Sequence, residues 1–321
     1  MLDVAQQLLE LLHEVLVDRH PASGFHYGSD MGVIIACPKG IARMSQEILD
    51  LPPPPADVRL PYGPLPQHFG DLRLPSTAPP HPLAILIHGG FWRARYDLRH
   101  LGHLAAALTA EGIATWSIEY RRIGDEGGAW PGAFLDVAVA ADHVRALAPL
   151  HGLDLERAIT VGHSAGGHLA FWLAGRSRIP ISDRLYGPEP LPLRGAISLA
   201  GVVDLRAAWE MGLSERVVEQ LLGGGPDAVP ERYAHASPYD LLPLGTRQIL
   251  IHGTDDDIVP FEMSEHYAAR AREAGDRVDL VSLVGMGHFE PIDPRSQAWP
   301  SVLEAARALL SKTDPPTAVG W

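Results

Sequence analysis

Lysine and cysteine are almost missing from this chain. Its 321 residues include 26 lysines and arginines, but only Lys39 and Lys312 are lysines. Neither stands in a phosphate-binding loop or in a Schiff-base setting, which argues against P-loop phosphoryl transfer and lysine covalent catalysis. Cys37 is the one cysteine, so an internal disulfide and a cysteine-rich zinc site are excluded.

Positive charge and long apolar runs are also scarce. With 39 acidic residues the formal net charge is −13, which disfavours a nucleic-acid partner because binding phosphates requires clustered positive charge. No stretch reaches about 18 consecutive apolar residues, so we predict no membrane span. Asp3 and Glu10 interrupt the N-terminus where a signal peptide would be apolar, and we therefore expect a cytoplasmic protein.

The first part of the chain differs from the rest. Apolar residues between Ala5 and Leu16 follow a helical period, and a second helix is predicted over Ile41–Leu51. We interpret residues 1–55 as an N-terminal helical extension, which either caps a site, packs at the periphery or contributes to a homodimer. Eleven prolines make residues 52–82 extended, with edge strands at best, over Asp57–Leu60 and His68–Leu74.

Short apolar runs alternate with helical patterns from residue 83 onward. The predicted buried strands are Leu83–Ile87, Ala114–Ile118, Ala158–Val161, Ala196–Leu199, Gln248–Ile251 and Val278–Leu283. The predicted helices between and after them are Leu98–Glu111, Gly132–Leu150, Ala165–Leu173, Phe261–Ala274 and Ala298–Leu310. This alternation predicts an α/β domain over residues 56–312: a mostly parallel, twisted sheet with helices on both faces. Residues 205–246 are predicted to be an insertion above the sheet, and residues 313–321 a mobile tail.

A serine stands between a predicted strand and a predicted helix. The segment Gly162-His-Ser-Ala-Gly166 matches G-x-S-x-G, which is a weak signal alone and a strong one in the strand–turn–helix setting. Glycines allow a turn sharp enough to hold the Ser164 hydroxyl clear of the sheet. The helix that follows offers backbone N–H groups to a developing oxyanion. Ser164 is therefore a candidate nucleophile.

The second motif is His88-Gly-Gly-Phe-Trp92, which follows the strand Leu83–Ile87. Two glycines at the carboxyl end of a strand let the backbone approach a ligand. The N–H groups of Gly90, Phe91 and Ala165 are therefore candidate oxyanion-hole donors. Trp92 and His163 are candidate substrate-binding residues.

An acidic loop and a glycine-flanked histidine follow the last two strands. His252-Gly-Thr-Asp-Asp-Asp257 offers a carboxylate that could orient a histidine, and spacing alone does not choose among the three aspartates. His288 lies in Gly285-Met-Gly-His288 after the last strand, where it completes the order Ser…Asp…His.

Other histidines and acids are interpreted as structural. His100 and His103 lack a further metal ligand at a suitable spacing, so they are assigned to a loop and a helix start. His168 is predicted to pack and hydrogen-bond within a helix, and Asp136 to accept a structural hydrogen bond.

Together these motifs resemble the α/β-hydrolase superfamily, in the branch that holds hormone-sensitive-lipase-type carboxylesterases and kynurenine formamidases. The family pattern His-Gly-x-x-Asp-x-x-Val-Pro selects Asp256, with Asp257 second. The resemblance to this superfamily assigns Ser164, Asp256 and His288 as the catalytic triad. Glu119-Tyr-Arg121 resembles the family's Asp-Tyr-Arg, whereas Arg122-Ile-Gly-Asp125 and Phe91 depart from the lipase-like members.

The resemblance implies acyl transfer to water, without a metal or organic cofactor, on a small-molecule ester or amide. Hydrolysis of small or aryl carboxylic esters is the first expectation and arylformamide hydrolysis the second. A peptidase and a catalytically silent binding module remain further alternatives.

Overall fold

The computed structural model describes residues 34–36 and 46–312 of the chain. The helix predicted near the N-terminus, part of the predicted helix Ile41–Leu51 and the tail 313–321 lie outside these residues. Within Ile41–Leu51, a short 3-10 helix covers Gln46–Leu49.

Nine strands of the described residues form one sheet. In chain order they are β1 Ile34–Ala36, β2 Val58–Pro61, β3 Phe69–Arg73, β4 His81–Ile87, β5 Ala114–Ile118, β6 Leu153–His163, β7 Gly195–Leu199, β8 Arg247–Gly253 and β9 Val278–Val284. Their order across the sheet is β1-β9-β8-β7-β6-β4-β5-β3-β2. All pairs are parallel except β5–β3 and β3–β2. The predicted, mostly parallel α/β sheet is confirmed.

Nine α-helices lie within the described ranges. They are α1 Gly102–Ala110, α2 Gly132–Asp142, α3 Val144–His151, α4 Ala165–Gly175, α5 Leu205–Glu210, α6 Leu213–Leu222, α7 Pro230–Ala236, α8 Phe261–Glu273 and α9 Trp299–Leu310. The segment predicted as an insertion therefore contributes α5, α6 and α7 between β7 and β8. No helix in the described part of the chain is both long and apolar enough to cross a membrane.

The central strands are buried on both faces because their side chains alternate between two apolar clusters. In β4, Leu83, Ile85 and Ile87 belong to one cluster, and Ala84 and Leu86 belong to the other. The first cluster also contains residues of α2, α3, α4 and α8, whereas the second contains residues of α1 and α9. Helices thus cover both faces, and all eleven residues of α4 are buried.

Three local predictions need correction. Residues 34–36 form a strand rather than helix, in keeping with the β-branched pair Ile34-Ile35. β3 is not an edge strand, because it pairs with β5 on one side and β2 on the other. The predicted helix Gly132–Leu150 is two helices that break at His143. Trp116 donates to the carbonyl of Ala140 (3.0 Å), an oxygen that an unbroken helix would offer to residue 144.

Candidate active site

Each of the four sequence motifs lies at the carboxyl end of a strand in the parallel part of the sheet. β4 and β6 are neighbours, as are β8 and β9, and β7 lies between the two pairs. Because the carboxyl ends of parallel strands meet at one edge of a sheet, the loops after these strands gather there. The fold thus brings together segments that are up to about 200 residues apart in the chain.

Ser164 occupies the sharp turn between β6 and α4. Its φ of 56° and ψ of −120° are rare for a residue with a side chain. Three backbone hydrogen bonds fix the turn: the Ser164 N–H donates to Leu199 (2.8 Å), and the Ser164 carbonyl accepts from His168 (3.2 Å) and Val202 (3.3 Å). Ser164 is 3% exposed. The strand–turn–helix setting predicted for this serine is confirmed.

Gly162 meets the same turn from the strand side. A Cβ placed on Gly162 would lie 1.9 Å from the carbonyl oxygen of Gly166, far inside van der Waals contact. The glycine of the motif is therefore a steric requirement of the turn that holds Ser164.

We expect Gly162→Ala to lower the free energy of unfolding by about 3 kcal/mol, because the turn must open to admit the methyl group. Urea denaturation followed by circular dichroism measures this change. Gly224→Ala is the matched control, since its added Cβ would come no closer than 3.3 Å to any other atom. Equal stability of both variants would contradict this steric account.

His288 and Asp256 form a close, buried pair. The His288 Nδ1 donates to Asp256 Oδ2 over 2.6 Å, and both side chains are at least 96% buried. The other oxygen, Asp256 Oδ1, accepts from the N–H groups of Ile258 (2.8 Å) and Val259 (2.9 Å). Asp257 is exposed. Of the aspartates that spacing left open, Asp256 is the one in contact with His288.

The charge of Asp256 is maintained by its donors. Burial alone would raise the pKa of this carboxyl, but hydrogen bonds from His252 and His288 outweigh burial and hold the Asp256 pKa well below its usual range. The carboxylate is therefore ionised at neutral pH, as a partner of an imidazolium must be.

The loops of His88 and His288 both border the Ser164 turn. A Cβ on Gly89 would lie 3.0 Å from the Cβ of Ser164. On the other side, the ring of His163 packs against the ring of His288 at 4.6 Å between centroids. The His163 Nε2 donates to the main-chain oxygen of His288 (2.8 Å). The loop of His88 therefore packs directly against Ser164, and His163, the residue before Ser164, holds the loop of His288 beside the turn.

The predicted oxyanion loop has a strained backbone. Gly90, Phe91 and Trp92 have φ values of 104°, 51° and 54°, so three consecutive residues lie in the left-handed region. In the described ranges, no acceptor is found for the N–H groups of Gly90 and Phe91. Ala165 is the first residue of α4, where an N–H group lacks an intrahelical partner.

A buried ionic cluster lies behind this loop. The His88 Nε2 is 3.0 Å from Glu119 Oε1, and Arg122 Nη1 is 3.1 Å from the same oxygen. Glu119 also accepts from the N–H groups of Leu98 (3.1 Å) and Tyr120 (3.0 Å). Since Glu119 and His88 are nearly fully buried, this carboxylate fixes the start of the loop. The motif resemblance included Glu119 but did not predict these contacts.

Trp92 and His163, the candidate substrate-binding residues, are both 0% exposed. Trp92 packs edge-on against His168 at 5.1 Å between ring centroids. Their contact with substrate stays a prediction, and their burial places both side chains behind the surface of the site.

The structural interpretation of His168 is confirmed, because its Nε2 donates to the carbonyl of Ala236 (2.9 Å). Asp136 likewise accepts from Arg121 and His68.

His100 has a contact that sequence reasoning missed. Its Nε2 lies 2.8 Å from His163 Nδ1, and since His163 Nε2 donates to His288, the His163 Nδ1 is the acceptor. Burial, with a smaller contribution from electrostatic interaction with the neighbouring histidines, lowers the pKa of His100 to about 3. Burial also lowers the pKa of His163 well below its usual value.

No group of three metal-ligating side chains is found among the residues described.

A histidine that is buried in its neutral form makes the free energy of unfolding fall as the pH becomes acidic. A substitution of His168 tests this effect. Burial lowers the pKa of His168 to about 4, whereas an unfolded chain binds a proton near pH 6.5. As pH falls from about 6.5 to 4, the unfolded state gains a proton that the folded state lacks, so stability falls by up to about 1.4 kcal/mol per pH unit. We expect His168→Gln, which keeps a donor for Ala236, to reduce the slope by about that amount. Urea unfolding at several pH values measures the slope, and an unchanged slope would contradict the prediction.

The sheet topology and the strand–serine–helix turn place this protein in the α/β-hydrolase class. Within that class the chain belongs to the BD-FAE family, whose model matches residues 71–270. The superfamily that the sequence motifs resemble is thereby confirmed.

Relatives of known name are similar over most of this chain. A rice protein named "Probable isoprenylcysteine alpha-carbonyl methylesterase ICME" is 27% identical over 71% of this chain and 57% of its own length. Esterase LipQ of Mycobacterium tuberculosis is 27% identical over 84% of this chain and 66% of its own length. The chain thus spans 57–66% of the length of the curated relatives it matches.

Solved structures share the fold. A truncated carbohydrate esterase from gut microbiota superposes with a TM-score of 0.70 at 22% identity, covering 80% of this chain and 99% of its own. The esterase Est2 of the Planctomycetes species Thermogutta terrifontis gives a TM-score of 0.65 at 24% identity, covering 84% and 97%.

Proposed function

We propose that this protein is a serine hydrolase that cleaves carboxylic esters of small or aryl substrates through Ser164, His288 and Asp256. The observation that carries the proposal is the 2.6 Å hydrogen bond between His288 and Asp256, on a loop that adjoins the Ser164 turn. The esterase names of the matched relatives support the same reaction class.

The proposed reaction begins with proton transfer. Because His288 Nδ1 donates to Asp256, its Nε2 is free to accept the proton of the Ser164 hydroxyl. The Ser164 Oγ attacks the ester carbonyl carbon, and the ionised Asp256 stabilises the imidazolium that forms. His288 then returns the proton to the leaving alkoxide, which yields the acyl-enzyme. Water, deprotonated by His288, repeats the sequence and releases the acid.

Backbone N–H groups stabilise the tetrahedral oxyanion in this proposal. Gly90, Phe91 and Ala165 supply the donors, and the absence of described acceptors for the first two leaves them available to a substrate oxygen. The start of α4 adds the positive end of a helix dipole.

The preference for small or aryl substrates rests on Phe91. Lipase-like members of the superfamily that the motifs resemble have glycine at this position. A benzyl side chain beside the oxyanion donors leaves less room for a long acyl chain than glycine does. Phe91 is only partly buried and packs against the first apolar cluster, so its ring also offers an aromatic surface near the donors.

Labelling by a fluorophosphonate and a substrate panel test the proposal. A related structure, Thermogutta terrifontis esterase 2, is known phosphonylated by sarin. We expect labelling at Ser164, identified by peptide mass spectrometry, and faster hydrolysis of short p-nitrophenyl and phenyl esters than of long-chain esters. A preference for N-formylkynurenine would favour the arylformamidase alternative instead. Folded protein that is neither labelled nor active on any ester would overturn the proposal.

A further inference from the structure

A second histidine, His252, donates to the carboxylate that holds His288. His252 lies near the end of β8, and its Nε2 is 3.0 Å from Asp256 Oδ2 and 3.0 Å from the carbonyl oxygen of Val259. Both neighbours are acceptors, so this nitrogen carries the proton. Asp256 Oδ2 therefore receives two imidazole N–H groups, the other coming from His288 over 2.6 Å.

The orientation of His252 is fixed from its other side. Its Nδ1 lies 2.7 Å from the hydroxyl of Ser264 on α8. Because Nε2 is the protonated nitrogen in a neutral ring, Nδ1 accepts the proton of that hydroxyl. Phe261 packs edge-on against the same ring at 5.7 Å between centroids. His252 is 0% exposed and Ser264 is 1% exposed, so water does not compete for these hydrogen bonds.

We propose that His252 is a positioning residue for the reaction, which sets how strongly Asp256 acts on His288. This inference rests on the proposed function, in which Asp256 stabilises the His288 imidazolium. A charged acceptor shared by two donors in a buried position divides its electrostatic attraction between them. His252 therefore keeps Asp256 ionised and in one rotamer, while it reduces the attraction that the carboxylate exerts on His288.

The sign of the effect follows from this division. Without the His252 donor, more of the Asp256 charge acts on His288, and the imidazolium persists to higher pH. The acid limb of the pH–rate profile then moves to higher pH. The other titratable groups near His288 are His163 and His100, both neutral because of burial, together with Glu290 on the same loop and the exposed Asp255 and Asp257. None of these contacts Asp256 Oδ2 among the described residues, so a substitution of His252 leaves them in place.

The pH profile of kcat/KM for p-nitrophenyl acetate tests the proposal in His252→Leu and His252→Gln. In His252→Leu we expect the midpoint of the acid limb to move to higher pH by about half a pH unit to one pH unit. We also expect kcat of this variant to fall about tenfold. Glutamine has a terminal N–H at a similar reach, so His252→Gln should keep the wild-type acid limb. A structural role alone would lower kcat without moving the limb. An unmoved limb in folded His252→Leu, or an equal shift in both variants, would overturn the proposal.

Ser264→Ala provides a second test if His252→Leu does not fold. This change removes the donor to His252 Nδ1 and weakens the polarisation of Nε2–H, so we expect a smaller shift in the same direction. No shift would contradict the proposal.

An activity-free measurement separates this inference from the proposed function. In Ser164→Ala protein, the downfield proton resonance of the His288–Asp256 hydrogen bond should move further downfield when His252 is also replaced by leucine, because one competing donor is lost. A resonance that does not move would overturn the role of His252. Wild-type protein without ester turnover would overturn the proposed function, and the resonance would still report on His252.

Discussion

Ser164→Ala is expected to lower kcat for p-nitrophenyl acetate by about 10⁴- to 10⁶-fold. In the proposed mechanism no acyl-enzyme forms without Oγ, and any remaining rate would come from the proposed oxyanion donors and substrate binding. The fluorophosphonate label should disappear with the activity. Removing one oxygen at this turn leaves the backbone bonds to Leu199 and His168 unchanged, so we expect a folded protein.

Ser198→Ala is the matched control for that loss. Ser198 lies on β7, next to β6, and is 1% exposed. Its hydroxyl lacks a hydrogen-bond partner within the described part of the chain. We expect wild-type turnover from Ser198→Ala. If Ser164→Ala kept more than about a tenth of the wild-type rate, the nucleophile would be a different residue.

Asp256→Asn is expected to lower kcat by about 10⁴-fold. The substitution preserves shape, but it removes the negative charge beside His288 and can turn an N–H toward His288 Nδ1. In the proposed mechanism this favours the wrong tautomer of the base. Steady-state kinetics with p-nitrophenyl acetate measures the loss. Since the carboxylate also accepts from Ile258 and Val259, a thermal melt of the variant checks that the loop stays folded.

Asp257→Asn tests the choice between the two neighbouring acids. Asp257 is exposed and adjoins Asp256, so the two variants change the net charge equally at almost the same place. We expect Asp257→Asn to retain wild-type kcat. Similar losses in both variants would indicate a long-range charge effect, and a loss confined to Asp257→Asn would reverse the assignment.

Local sequence patterns were sufficient to predict much of the sheet and the sharp turn at Ser164. Runs such as Leu83–Ile87 are buried on both faces, and their aliphatic composition signals that burial directly. The turn at Ser164 is similarly local, because the close approach of Gly162 to Gly166 occurs within five residues. Interactions within one strand or one turn restrict which residue types can occur at adjacent positions in the sequence.

Contacts between distant segments were not predictable in the same way. The hydrogen bond between His100 and His163 joins residues 63 positions apart. The break at His143 involves Trp116, which lies on β5. Both depend on the order of strands in the sheet, which periodicity does not encode. His252 and Asp256 are close in sequence, but the importance of their contact is evident only because His288, on the loop after β9, reaches the same oxygen.

The complete burial of α4 has a consequence for the lifetime of the site. A helix with all eleven residues inside the core cannot detach by itself, so its amide hydrogens should exchange with solvent only when the whole domain opens. The turn that holds Ser164 is joined to the N-terminus of this helix. Hydrogen-exchange mass spectrometry should therefore give α4 the slowest exchange class, and heat inactivation should follow global unfolding rather than a local loosening around Ser164.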